Sequence, residues 1–537
     1  MGPSACMIKC VSTATSRVEM NLKMQFMQNL YRCTALALLS GTQFLCGQTQ
    51  TAVSSAPAPT ILKAGDLQAD VAILRLAYEE LHPGLYRYNT KNHMDAAFEA
   101  LALQLNHDQS RQDAYLALSV FAAKIKCGHT YANFFNQPKV VVQELFLGQN
   151  RVPFYFDWLD GRMVVTQDST PNHRLPRGTE VLEINGTSSN AILARLMTIA
   201  RADGSNDAKR VASLGVNGDS IYETFDIFFP MFFPQPTTKM KLLVQEPGTT
   251  KPRAVEAEAL TYEERIAPIK SREEGRRGGS GIVFDLQYLP DGSAHLRMPT
   301  WALYDSKWDW KGWLNARLDE IAEKKSSALI IDLRGNEGGL DVGNVILSRL
   351  VAKDLPLPTS RRLVRYRQIP QDLLPYLETW DPSFKDWGTS AVELPEPWLT
   401  APPVNYLHLK KFDDNESGDT IKAGGKHYAG KIFVLVDANN SSATFQFAQT
   451  VQQNELGVLV GTPTGGNQRG INGGAFFFLQ LPKSKIEMDL PLIGFFPPSE
   501  KPDAGLKPDI FAAPKVSDMV DGTDVSLAVV AKALHTH

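Results

Sequence analysis

An α/β core with a mostly parallel sheet, preceded by a helical segment and a β-rich module, is the fold class the sequence predicts. Three observations predict it. Ala328 to Leu333 is a short, continuously apolar run, the pattern of a strand buried on both faces. Two more such runs follow, Ile432 to Val436 and Gly457 to Val460. Helical patterns alternate with them, Val342 to Val351 and Ala443 to Gln452, and strand–helix alternation builds parallel sheets.

A chain of 537 residues is too long for one hydrophobic core, so two or three domains are expected. Its formal net charge of −3, and the lack of any basic run interleaved with aromatics, speak against a nucleic-acid partner. Residues 1–48 read as a leader. Lys23 and Arg32 precede or flank an apolar stretch from Thr34 to Cys46, and small polar residues follow, which is signal-peptide order. The expectation is export, to a periplasm or beyond; the alternative is a non-functional extension. The stretch is too short to span a bilayer comfortably, so no integral membrane segment is expected after signal removal. Cys6, Cys10, Cys33 and Cys46 all lie in this leader. Cys127 alone remains, which excludes an internal disulfide or a cysteine-rich metal site in the mature part. Gln43-Phe44-Leu45 lacks the small residues of a lipoprotein signal before Cys46.

Residues 49–65 are a linker by composition. Residues 66–137 carry three helical patterns, the first capped by Asp66, the second near Met94 to Leu105, the third near Gln112 to Ile125. Cys127-Gly128-His129-Thr130 follows them. Residues 138–268 turn to short strands: Lys139 to Glu144, Val152 to Trp158, Met163 to Gln167. Val181 to Gly186 ends in Asn-Gly, a tight-turn signal, and resembles a strand of PDZ domains; an ordinary hairpin reads the same way. Residues 280–537 form the α/β core. There Ile282 to Leu289 and Ala294 to Pro299 pair around Asp291-Gly292, and a helix runs from Lys311 to Lys324. Residues 353–428, rich in Pro and Trp and without periodicity, read as a long insertion near the site.

In parallel α/β sheets ligands sit at the carboxyl ends of strands. Two such ends carry unusual chemistry. Gly338-Gly339, shortly after the strand ending at Asp332, can expose backbone N–H groups as an oxyanion hole or can be a plain turn. Ser441-Ser442 opens a helix directly after a strand, where the helix end favours developing negative charge. Either serine could instead merely cap that helix.

Together these segments resemble the tail-specific (C-terminal processing) and tricorn-core serine peptidase family. Asp332-Leu333-Arg334-Gly335-Asn336-Glu337-Gly338-Gly339 is similar to its Asp-Leu-Arg and glycine-pair signature. Asn440-Ser441-Ser442-Ala443-Thr444, then Gly461-Thr462-Pro463-Thr464-Gly465-Gly466, resembles its nucleophile segment and the strand end after it. Gly505-Leu506-Lys507-Pro508-Asp509-Ile510 is similar to its closing element. His82-Pro83-Gly84-Leu85-Tyr86 and Gly128-His129-Thr130 resemble motifs of the tricorn-like branch.

The resemblance implies a crotonase- or ClpP-like core and a serine peptidase that needs no cofactor or metal. It implies Ser442 as nucleophile and peptide or unfolded protein as substrate. Members with a Ser–Lys dyad carry the lysine where this chain has Asn467, so the histidine-base branch fits better, with His129 as base. That branch orients its histidine with a carboxylate, for which Glu500 and Asp503 are the candidates. The oxyanion donors it implies are N–H groups of Gly338, Gly339 and Ala443. Cys127 is too close to the base to need another role than packing. Two other readings stand beside this one: a non-catalytic binder of hydrophobic small molecules or peptides, and crotonase-type acyl-CoA chemistry. The latter leaves the serine and histidine idle.

Overall fold

The computed structural model describes residues 59–535, apart from 268–282, 395–403, 411–419, 358–359 and single positions 149, 172, 219, 236 and 305. The leader, most of the linker and the Arg/Glu/Gly-rich stretch before the core lie outside the described residues. Among the described residues no helix is long and apolar enough to cross a membrane.

The chain opens with helices α1 (Ala64–Leu81), α2 (Lys91–Gln104) and α3 (Arg111–Lys124). Thr90 and Ser110 cap α2 and α3 with their side chains. Asp66 lies inside the first turn of α1 rather than at its cap, which is Lys63. Lys139–Leu145, expected as a strand, is a helix. Its valine run buries only Val141 and leaves Val140 exposed, and Pro138 accepts the N–H groups of Val141 and Val142. One buried position per turn outweighs β-branched propensity here.

An antiparallel sheet follows, from β1 (Phe154–Leu159), β2 (Arg162–Asp168), β3 (Glu180–Ile184), β4 (Lys239–Gln245) and β5 (Arg253–Glu258), in that order. Between β3 and β4 lies the short helix α4 (Asp207–Ala212). Beside this sheet Asp226 is buried between two arginines, accepting from Arg151 Nη1 at 2.6 Å and from both Nη atoms of Arg265, one at 2.9 Å. Glu223 takes a further bond from Arg265 at 3.1 Å. Burial, then the neighbouring Asp226, pushes the Glu223 carboxyl up to about 7.

The α/β core holds β6 (Asp285–Tyr288), β7 (Ala294–Arg297), α5 (Trp310–Lys324), β8 (Ala328–Asp332) and α6 (Val342–Leu350). Strand β9 (Arg361–Val364) and short strands β10 (Leu377–Glu378), β11 (Ala391–Glu393) and β12 (Leu407–Leu409) come next. The chain then runs through β13 (Lys431–Val436), α7 (Ser442–Gln453), β14 (Val458–Gly461), β15 (Asn472–Gln480), β16 (Glu487–Phe496), β17 (Ile510–Phe511) and α8 (Val525–His535).

The core sheet has the order β17-β14-β13-β8-β7-β6, parallel except for β6. Alternate residues of each strand serve opposite faces. Leu329, Ile331, Val434 and Val436 pack under α5, α6 and α7, while Ala328, Ile330, Phe433 and Leu435 pack against α8. Residues 353–428, read from sequence as an insertion without periodicity, contribute β9 to β12 to a second, antiparallel sheet of order β10-β15-β16-β9-β12-β11. Strands of two to four residues are too short to show a period. One continuous apolar core joins the helical segment, the β1–β5 sheet and this second sheet.

The Asp332-Leu-Arg motif turns out to be a structural tie. Arg334 bonds Asp332 at 2.9 and 2.7 Å and Asp524 at 2.9 and 2.8 Å, fastening the end of β8 to the start of α8. Burial pushes the Asp332 carboxyl up, but hydrogen bonds and charge from Arg334 and His295 hold it well below the usual range.

Candidate active site

The end of β13 and the start of α7 form a sharp elbow. Ser442 begins the helix with φ +51°, a left-handed backbone that a non-glycine residue adopts only under constraint. The constraint is visible. Asn440, fully buried, spends Nδ2 on Leu333 O (2.5 Å) and Asn336 O (3.0 Å) and Oδ1 on Asp437 N–H (2.8 Å). Its carbonyl accepts the N–H groups of Gly465 and Gly466 at 2.8 and 2.9 Å. Thr444 Oγ1 donates to Asn336 O at 2.9 Å or Ser441 O at 2.8 Å. Ser441, the residue before the helix, does not cap it: its hydroxyl donates to Glu337 O at 3.2 Å. Among the described residues Ser442 Oγ makes no hydrogen bond.

The glycine turn lies directly against this elbow. A Cβ on Gly338 would sit 2.9 Å from Ala443 N and 3.0 Å from Ser442 Cβ, and Gly338 and Gly339 hold φ +102° and +137°. Only glycine permits that approach and that backbone. Gly338 N–H is already given to Asn336 Oδ1 at 2.9 Å. Ala443 is the second residue of α7, so its N–H has no intrahelical acceptor.

His129 sits on the loop after α3. That loop is clamped from both sides: Gly128 N–H donates to Asp203 Oδ1 at 3.0 Å, and Arg201 Nη1 donates to Gly128 O. The His129 ring lies 5.9 Å from Phe476, and its Nδ1 is buried without a hydrogen-bond partner among the described residues. Burial holds the imidazole below its ordinary pKa; cationic Arg201 and Lys209 push the same way, and Asp203 and Glu337 oppose them. The ring is thereby kept neutral, the form that can accept a proton. No hydrogen bond joins His129 to Ser442 among the described residues.

His82 supports this loop from beneath. Gly84 N–H donates to His82 Nδ1 at 2.9 Å, so Nε2 carries the proton and donates to Thr130 Oγ1 at 2.8 Å. Burial, with Arg87 and Arg365 nearby, pulls His82 down from 6.5 to about 3. A folded-state pKa below the unfolded value means that the unfolded chain binds the extra proton. Stability is therefore expected to fall as pH drops from about 6.5 toward about 3, by about 1.4 kcal/mol per pH unit at the steepest. Denaturant titrations of wild type and His82→Gln across that window check it; parallel pH slopes in the two proteins would refute it.

Glu500 is exposed and forms no hydrogen bond or ion pair among the described residues. Asp503 accepts from Ser205 N–H at 2.9 Å and from Asn467 Nδ2 at 2.7 Å. Asn467, at the dyad lysine's position, also donates to Asp203 O at 3.1 Å. Among the described residues no hydrogen bond or ion pair joins Glu500 or Asp503 to His129, whereas Asp203, 2% exposed, accepts Gly128 N–H on the same loop. Sequence reasoning missed Asp203, which sits in no motif. It also gave no role to Asn336, Asn440 and Thr444, although all three lie within the quoted segments. Cys127 is buried, accepts from Asn472 Nδ2 at 3.3 Å, and is pushed up to about 11 by burial, so it stays a thiol.

A helix-opening serine in left-handed backbone against a glycine turn has the geometry of a serine-hydrolase nucleophile elbow. Residues 292–510 match the model of Peptidase family S41. That segment carries a domain similar to this family throughout its length, and with it the chain is a serine peptidase whose substrates are peptides or proteins. Among solved structures it is similar to mature CPAF complexed with lactacystin, at 17% identity over 88% of this chain and 98% of that one, TM-score 0.57. Mature CPAF alone gives 18% identity, 88% and 96% coverage, and 0.56. The photosystem II D1 C-terminal processing protease gives 12% identity, 83% and 92% coverage, and 0.36. At these identities the first two likenesses speak for the fold alone. Comparison with curated protein sequences returns no match.

Proposed function

We propose that Ser442 attacks a peptide carbonyl with His129 as general base, passing through an acyl-enzyme that water then hydrolyses. The observation that carries this reading is the backbone of Ser442, held at φ +51° at a helix start with its hydroxyl uncommitted. The tetrahedral oxyanion would be met by N–H groups of Ala443 and of the Gly338-Gly339 turn. Gly339 is the freer of the two glycines, since Gly338 N–H serves Asn336. Removing one such donor typically costs about 10²–10³ in turnover. Asp203, bonded to the His129 loop and raising the histidine's pKa, is a candidate orienting carboxylate beside Glu500 and Asp503. The β3 strand and its Asn185-Gly186 turn would offer an edge to extended or carboxyl-terminal substrates. The signal-like amino terminus supports action outside the cytoplasm.

Fluorophosphonate labelling with intact-mass analysis tests the reading. Wild type is expected to take one adduct. Ser442→Ala is expected to take none, and His129→Ala to label about 10³-fold more slowly. An unlabelled wild type, or unchanged labelling in Ser442→Ala, would sink it.

A further inference from the structure

Sequence reasoning looked for a lysine at position 467 and found asparagine, yet a buried lysine reaches the site from elsewhere in the chain. Lys209 stands in α4, between two strands of the β-rich module, and is 7% exposed. Helix α4 is docked on the segment that follows the nucleophile helix. Its cap residue Asn206 accepts Lys209 N–H at 3.2 Å through Oδ1 and donates through Nδ2 to Thr464 O at 2.9 Å and Gly466 O at 2.8 Å. The lysine stem runs over Gly465, where an added Cβ would meet Lys209 Cδ at 2.9 Å. The ammonium then donates to Glu337 Oε1 at 2.5 Å and to Asn439 O at 3.2 Å.

Those two acceptors lie on the two loops that meet at Ser442. Glu337 immediately precedes the Gly338-Gly339 turn, and Asn439 lies three residues before Ser442. A single charge therefore bridges the two loops whose N–H groups would receive the oxyanion. We propose that Lys209 is a positioning residue that fixes the spacing between the glycine turn and the Ser442 elbow. This rests on the serine–histidine reading above and deepens it.

An ion pair between a buried lysine and a half-exposed glutamate, holding two loops together without bearing on the reaction, would look much the same, so the test must separate the two. The charged and titratable groups around His129 are Lys209 and Arg201, which lower its pKa, and Asp203 and Glu337, which raise it, with the Cys127 thiol on the same loop. Glu337 itself is held down to about 2, first by Lys209. Removing Lys209 and removing the Glu337 charge should thus move the histidine in opposite directions.

The experiment follows the rate of Ser442 phosphonylation by a fluorophosphonate as a function of probe concentration, across roughly pH 5 to 9, with melting temperatures alongside. Lys209→Met is expected to lower the limiting rate about 10²-fold, with half-saturation changed by less than about threefold. Its acid limb should shift to higher pH. Lys209→Arg is expected to recover most of the rate and return the limb, and Glu337→Gln to shift the limb to lower pH. Unchanged limiting rates and limbs in folded Lys209→Met and Glu337→Gln would overturn the proposal. So would limbs that move together in one direction. If Lys209→Met does not fold, Lys209→Arg and Glu337→Gln decide it alone. A wild type that is never labelled fails the serine–histidine reading instead, and takes this inference with it.

Discussion

Ser442→Gly is expected to abolish hydrolysis and at the same time to raise the melting temperature. Turnover should fall by about 10⁴-fold or more, because no other hydroxyl replaces the nucleophile and only the oxyanion donors and substrate binding remain. The stability gain comes from the backbone. A non-glycine residue at φ +51° carries a left-handed penalty of about 1 kcal/mol, and glycine carries almost none. The Ser442 hydroxyl makes no hydrogen bond among the described residues that its removal would cost. Ser442→Ala provides the control, equally inactive but keeping the Cβ and hence the strain. Thermal or denaturant unfolding of the three proteins checks the order, with glycine above both others. If glycine proves the least stable of the three, the strain is not there, and the argument for a functionally imposed backbone at this residue collapses.

Asp226→Ala carries the largest expected loss of stability. Asp226 is 5% exposed and neutralises Arg151 and Arg265 together, both of them nearly out of solvent. Truncating it strands two buried cations with only the partly neutral Glu223 beside them. Breaking a buried pair from one side costs about 3–5 kcal/mol, well above the cost of replacing the whole set by apolar groups. A drop of that size is a large fraction of the roughly 5–15 kcal/mol by which folded proteins are stable. Asp226→Asn, which keeps the shape and one acceptor, should lose less. A loss under about 1 kcal/mol for the alanine variant would mean that the arginines find water or other acceptors, and that this network is not buried as described.

How much of this was legible beforehand depends on length and contiguity. The strands at residues 328–332, 431–436 and 458–461 were readable because burial on both faces writes an unbroken apolar run. The elbow was readable because a strand, two serines and a helix follow one another without a gap. The second sheet was not, since β10 to β12 are two or three residues each and take their pairing from β15, β16 and β9 far away in the chain. The helix at Lys139–Leu145 was misread because three valines in a row carry more strand propensity than their actual burial justifies. Ser442 and His129 are singled out by motifs. Asp203, Lys209 and the clamp on Gly128 are not, because nothing but proximity in the fold distinguishes them from other charged residues. The roles inside a found motif were also hidden: Arg334 ties strand to helix, while Gly338 packs against the Ser442 elbow and Gly339 against the Trp301 backbone.

The elbow's dependence on Gly465 and Gly466, whose N–H groups hold the Asn440 carbonyl, has a consequence for the order in which the molecule comes into being. Translation delivers the prospective base at residue 129 early and the serine at residue 442 late. Even then the serine lacks the two donors that finish its turn until the chain has grown past residue 466. A growing chain that has not yet passed residue 466 therefore holds Ser442 in a turn that lacks the bonds fixing its shape, and would be slow to acquire any activity that depends on that turn.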